Sequence, residues 1–246
     1  MIVVVPVDPP REGLVLSSLV EESPLSDAEA VSLYEAAVAD VCWSVTSSGG
    51  DLLVNYRDEA TLPEAHADGD PEAEVRALAL DALGEDAAVR FERQVGSSRS
   101  ARIGNTVTHL LEREGVQSAG VLEPTVPLVA RTEIDGAAMS LRRHEVVLGP
   151  SDEGSTYFAG FSEPIDFADA YATPELSTLA RRAADGGLSV GFAPMLPTVA
   201  TAAGFRATVA GLEARRAAER PGAEATATLV DELGIRVGED GGLERE

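Results

Sequence analysis

The sequence predicts an α/β fold, a three-layer sandwich in which helices cover both faces of a mostly parallel central sheet. Three observations lead there. Short apolar runs alternate with segments of helical spacing from residue 2 to residue 213, and such alternation builds parallel sheets with helical crossovers. The opening run IVVVPV, Ile2–Val7, is apolar almost without interruption, the pattern of a strand buried on both faces. With 246 residues and 44% hydrophobic content, the chain can bury the core of one α/β domain or of two small ones.

Each element has its own signal. Pro9, Pro10 and Gly13 end the first strand. Ser26 and Glu29 have capping-box spacing, in which each side chain satisfies a free backbone N–H of the other. The helix they open carries Val31, Tyr34, Val38, Val41 and Val45 at helical spacing, until residues 47–50 (SSGG) stop it. Residues 52–56 read as the second strand and the acidic stretch 58–71 as a surface loop. A helix follows over 72–83, a strand over 87–91, and a helix over 101–113 bearing Val107, Leu110 and Leu111. Residues 118–122 are a strand, 133–140 a short helix and 145–148 a strand. Thr173 is placed to cap a helix with Pro174 at its first position, where a missing N–H costs nothing. Gly186 and Gly187 end that helix, residues 188–192 are a strand, and 200–213 form an amphipathic helix. These elements make up a domain over 1–212. Residues 213–246 read as a helical C-terminal extension, with one more helix over 225–233 and a frayed end over 238–246.

Charge narrows the function classes. There are 42 acidic residues against 19 basic ones, a formal net charge of -23, and every basic residue is an arginine. Such a surface repels phosphate backbones, so nucleic-acid binding is not expected. An electrostatic membrane anchor is not expected on the same ground. A dense carboxylate shell suits a cytoplasmic protein of a salt-loving organism, where concentrated salt screens the self-repulsion. Cys42 is the single cysteine and falls within the long helix, which points to a core residue and a reducing compartment. Residues 1–7 lack the basic flank of a signal peptide, and no apolar run reaches transmembrane length.

The stretch VVLGPSDEGSTYFAG, residues 146–160, carries most information about function. An apolar run ends in Gly149-Pro150, an acidic Gly/Ser loop follows, and a second apolar run passes through Phe158 and Ala159. Carboxylates brought to a tight turn at a strand end suit a metal or phosphate site. An ordinary hairpin with a solvated turn has the same pattern. His66, His109 and His144 lack metal-ligand spacing, and there is no G-x-G-x-x-G segment, P-loop or Ser-His-Asp signature.

In order and spacing, the segments at 24–41, RQVGSSRSARIGNTV at 93–107, EPTVPLV at 123–129, 146–160 and TPEL at 173–176 resemble an uncharacterised glycosyltransferase-like, radical-SAM-associated transferase family. That family lies within the nucleotide-diphospho-sugar transferase superfamily, beside the guanylyltransferases of molybdopterin and phospholactate. The resemblance implies a Rossmann-like, GT-A-type sandwich that binds a nucleotide or nucleotide sugar, with Mg²⁺ or Mn²⁺ held against the diphosphate. It places Glu123 at the family's metal-binding Asp position, followed by Pro124. Its Gly-Pro-x-x-Asp-Gly-Gly-Tyr-Tyr motif falls on Gly149, Pro150, Glu153, Gly154, Ser155, Thr156 and Tyr157, so Glu123 and Glu153 are the implied catalytic and metal-binding pair. Arg11, Arg102 and Asn105 are the implied donor-binding residues. Arg11 is the only cation of the first loop, Arg102 matches an arginine position of the family, and Asn105 suits a ribose or a base. The chain also departs from the pattern. Asp has become Glu at both motif positions, and Thr198 and Ala200 stand where a terminal Asp-x-Asp pair is expected. Two functions follow: a metal-dependent nucleotidyl- or glycosyl-transferase, or an inactive relative that binds a ligand or regulates a partner. As plainer alternatives, Glu123 and Glu153 are solvated acids, Arg102 forms a surface salt bridge, and Asn105 lies on a helix surface.

Overall fold

The computed structural model describes residues 1–238 and 240–245. The element order is β1 (Ile2–Val7), α1 (Ser17–Glu22), α2 (Asp27–Thr46), β2 (Asp51–Tyr56), α3 (Pro71–Leu83), β3 (Arg90–Arg93), α4 (Arg99–Thr108) and β4 (Ala119–Leu122). It continues with α5 (Arg131–Ser140), β5 (Val146–Pro150), β6 (Thr156–Phe161), α6 (Glu175–Asp185), β7 (Val190–Phe192), α7 (Ala202–Ala217), α8 (Glu224–Glu232), β8 (Ile235–Val237) and β9 (Leu243–Arg245). Seven strands form one sheet in the order β3-β2-β1-β4-β6-β5-β7. Strand β6 is antiparallel to both of its neighbours, and every other pairing in this sheet is parallel. This is the three-layer α/β sandwich with a mostly parallel sheet that the alternation predicts.

The layers follow from the two-residue period of a strand. Val3, Val5 and Val7 of β1 point into a core shared with α2, α3, α5, α7 and α8, while Val4 points to the opposite core with α4 and α6. Gly120 in β4 allows a close approach, because a Cβ there would lie 2.6 Å from Cε2 of Phe158. The capping box of α2 forms as its spacing requires: Ser26 N–H donates to Glu29 at 2.9 Å, and Glu29 N–H donates back to the Ser26 hydroxyl at 3.4 Å. Cys42 is buried in α2 with its thiol pushed up to about 12 by burial, the state of an inert core residue.

Several boundaries differ from expectation. Strand β3 begins at Arg90, three residues after the predicted start, because pairing with β2 sets it: Leu53 faces Arg90 and Tyr56 faces Arg93. Helix α4 begins at Arg99, capped by Ser98, and the expected helix over 101–113 changes to π-helical hydrogen bonding over His109–Arg113. Pro174 is the cap residue of α6, with Glu175 as the first helical position. The acidic loop contains a short 3₁₀ turn, Glu64–His66, and buries Leu62 and Asp58. The helix expected over 200–213 runs on to Ala217, and the chain beyond packs on the same core through Val230 and Ile235. Where a frayed end is expected, β8 and β9 pair as an antiparallel ribbon; Glu239 and Glu246 lie outside the described residues.

Candidate active site

An open α/β sheet presents ligands beyond the C-terminal ends of its parallel strands, at the point where the strand order reverses. Here that point lies between β1 and β4. The first residue after each of four strands faces it: Asp8 after β1, Arg57 after β2, Gln94 after β3 and Glu123 after β4. Together with Arg99 and Arg102 of α4 they line a cleft of about 290 Å³. A second cleft of about 280 Å³ adjoins it, and Arg99, Glu123, Thr125 and Ala200 line both. The walls of the second cleft carry the hydroxyls of Thr125, Ser151, Ser155, Thr156, Thr198 and Thr201.

The wall between the clefts is an ion pair. Nη2 of Arg99 donates to Oε1 of Glu123 at 2.7 Å and lies 3.9 Å from Oε2 of Glu175. The two carboxylates are 17% and 14% exposed and the arginine side chain 43%, so the acids are shielded and the arginine side chain is only partly covered. Burial raises the Glu123 carboxyl above its ordinary value against the pull of Arg99, with Glu175 and Asp8 adding to the rise. Glu123 in turn raises Arg99 above its ordinary value. The backbone N–H of Glu123 donates to the Tyr157 carbonyl at 2.8 Å, which fixes the acid at the sheet edge. Oε1 of Glu175 accepts from the Thr156 N–H at 3.2 Å and also from its hydroxyl. The guanidinium carbon of Arg99 lies 5.3 Å from the ring centroid of Tyr171, a cation–π contact.

Arg102 has a different setting. Its Nε donates to the amide oxygen of Gln94 at 2.7 Å, and it forms no ion pair among the described residues. Burial lowers its pKa, and the positive charges of Arg57 and Arg99 lower it further against the opposing pull of Asp8. Arg57 pairs with Asp8 at 3.3 Å and donates to the Thr61 carbonyl. Three cations, one at the end of β2 and two on α4, thus face one cleft beside the carboxylates of Asp8 and Glu123, and an incoming anion would offset the charge of Arg102.

The structure brings together Glu123 and Arg102 of the expected set. Arg11 instead forms a two-point contact with Glu74 of α3, at 2.9 and 2.6 Å, and donates to the His66 carbonyl. Asn105 donates to the Val95 carbonyl at 2.7 Å and faces a groove of about 630 Å³ on the flank of α4. Glu153 is exposed on the turn Asp152–Gly154, with φ of 57°, and lines neither strand-end cleft. Residues 146–160 are therefore a β5–β6 hairpin, and the acid that its turn directs inward is Asp152, which accepts from the Thr198 N–H at 3.1 Å. Thr198 and Ala200 do border the second cleft, where terminal acids are expected.

Mg²⁺ and Mn²⁺ need several oxygen ligands in close geometry. Glu123 is occupied by Arg99, Glu153 stands apart, and among the described residues no group of three or more His, Cys, Asp or Glu side chains could hold an ion. The residues present do not fit the expected metal. Arg57, Arg99 and Glu175 are absent from the expected set. Arg57 had a readable signal, its place directly after a strand; Glu175 had none, since its role depends on where α6 is docked.

No family model matches the sequence, and no curated protein matches it. Solved structures do. A candidate nucleotide-diphospho-sugar transferase from Desulfovibrio desulfuricans G20 superposes with a TM-score of 0.76 at 17% identity, covering 94% of this chain and 93% of that one. The two chains share one fold. A cytidylyltransferase from Leptospira borgpetersenii serovar Hardjo-bovis follows at a TM-score of 0.52 and 8% identity, again over 94% and 93% of the two chains. At such identities the likeness establishes architecture, and function has to be argued from the site.

Proposed function

We propose that this protein binds a nucleotide or nucleotide sugar across the two clefts and transfers its nucleotidyl or glycosyl group to an acceptor. The convergence of Arg57, Arg99 and Arg102 on the strand-end cleft carries this reading. In a chain of net charge -23, Arg57 and Arg99 are held by Asp8 and Glu123, while Arg102 has no ion pair among the described residues. That uncompensated cation in the cleft selects an anion. Guanidinium groups match phosphate oxygens with a fixed fork of donors. The hydroxyl-lined neighbour supplies lone pairs to the hydroxyls of a sugar or polyol. The strand-end position and the fold shared with a candidate nucleotide-diphospho-sugar transferase support the same assignment. Its finer placement in a radical-SAM-associated branch rests on the sequence segments.

A second reading, ligand binding without catalysis, is favoured by one observation: the Glu123–Glu153 pair that would anchor a metal is not assembled. The test is calorimetric titration of GTP, CTP, UTP and their diphospho-sugars in about 2 M KCl, where surface repulsion is screened to within a few ångströms. Saturable binding is expected, weakened about ten- to a hundredfold in Arg102→Gln by loss of a charged hydrogen bond. No binding by protein shown to be folded would refute the assignment. Donor consumption in the presence of polyol acceptors then separates transfer from binding alone.

A further inference from the structure

We propose that Arg99 is a built-in cation, holding between Glu123 and Glu175 the position that a divalent metal would otherwise take. A bound phosphate is then met by guanidinium donors, with Arg102 supplying the charge, and not by a metal. This deepens the phosphate reading of the cleft and rests on it.

The geometry is that of a seated ion. One nitrogen, Nη2, lies within 4 Å of two carboxylates from different elements, one at the end of β4 and one at the start of α6. The arginine is not what places either acid at the site, since the Glu123 backbone and the Glu175 carboxylate have other partners. Backbone pairing with Tyr157 sets Glu123, and two donors of Thr156 set Glu175. The Tyr171 ring forms a further wall. Two shielded carboxylates facing one another repel, and a cation between them is required for both to ionise. The chain supplies that cation at the first position of α4. A guanidinium has five N–H donors, so Arg99 can hold Glu123 and still present donors to the clefts it borders. Arg102, with no ion pair of its own, and Arg57 complete a phosphate seat made of side chains. If the guanidinium is removed, two acids remain with no counter-charge, a pair able to accept a hard cation through oxygen.

The test uses the full chain in about 2 M KCl. Nucleotide affinity is measured in EDTA and in Mn²⁺, and Mn²⁺ binding is measured separately, without nucleotide, by electron paramagnetic resonance. The wild type should bind nucleotide equally in EDTA and in Mn²⁺ and take up no stoichiometric Mn²⁺. Arg99→Ala should lose about tenfold or more in affinity in EDTA, regain part of it in Mn²⁺, and bind one Mn²⁺. Adding Glu123→Gln should abolish that ion. Arg99→Lys, which keeps the charge, should take up no Mn²⁺ and guards against misfolding of the alanine variant. Wild-type binding that requires Mn²⁺, or a folded Arg99→Ala that takes up none, overturns the proposal. If the wild type binds no nucleotide at all, the functional assignment falls, and the Mn²⁺ measurements still decide whether Arg99 fills a cation position.

Discussion

On the proposed function, Arg102 is a residue kept for a ligand at the expense of the fold. Its charge is partly withdrawn from water, faces two like charges against the one opposing charge of Asp8, and is hydrogen-bonded only to a neutral amide. Replacement by methionine keeps the packing of the stem and removes the unpaired charge. We therefore expect Arg102→Met to raise stability by up to ~1 kcal/mol, small because the group is still partly solvated, while nucleotide affinity falls. Urea denaturation beside calorimetry checks both signs, and a loss of stability would show that Arg102 serves the fold. Glu123 and Arg102 were legible in the sequence through the resemblance, Glu123 directly after a strand and Arg102 in the helix after the Gly96 loop, and both line the strand-end cleft. Arg11 and Asn105 misled for one shared reason: their partners, Glu74 and the Val95 carbonyl, become neighbours only through folding. Arg99 gave no more signal than any other arginine until Glu123 and Glu175 were placed around it.

At the scale of elements, hydrophobic period and caps located most of the helices and sheet strands, and pairing decided their ends. Strand β3 is the clearest case, its register set by β2 and not by its own apolar residues. The C-terminal ribbon is another. Arg245 of β9 makes a two-point ion pair with Glu29 at 2.8 and 2.9 Å, and Glu29 is also the capping-box acid of α2. This network holds the Glu29 carboxyl at about 2, chiefly through Arg245 and then through the Ser26 backbone. A folded value below the unfolded one contributes stability that is full above about 4.5 and is lost as pH falls toward about 2. Glu29→Gln keeps the cap geometry and removes this titration. Its urea midpoint should therefore fall less steeply than that of the wild type between those two values. Parallel acid limbs would mean that the ribbon is not clamped in solution.

For the whole molecule, charge is the dominant property. A net charge of -23 on 246 residues destabilises the compact state by self-repulsion, which salt screens. The melting temperature should rise steadily between about 0.1 and 2 M KCl, as the Debye length falls from about 10 Å to below 3 Å. A flat response would show that the carboxylates are already compensated locally. Among the described residues no helix is long and apolar enough to cross a membrane. The sequence by itself determined the layered α/β architecture, because strand and helix periods and their caps are local properties of the chain. It also determined which loops reach the ligand edge, since these follow from element order. Tertiary structure alone decided which charges share a cleft. An arginine becomes a phosphate donor, an internal counter-ion or a surface clamp according to what faces it, and those partners lie tens to hundreds of residues away.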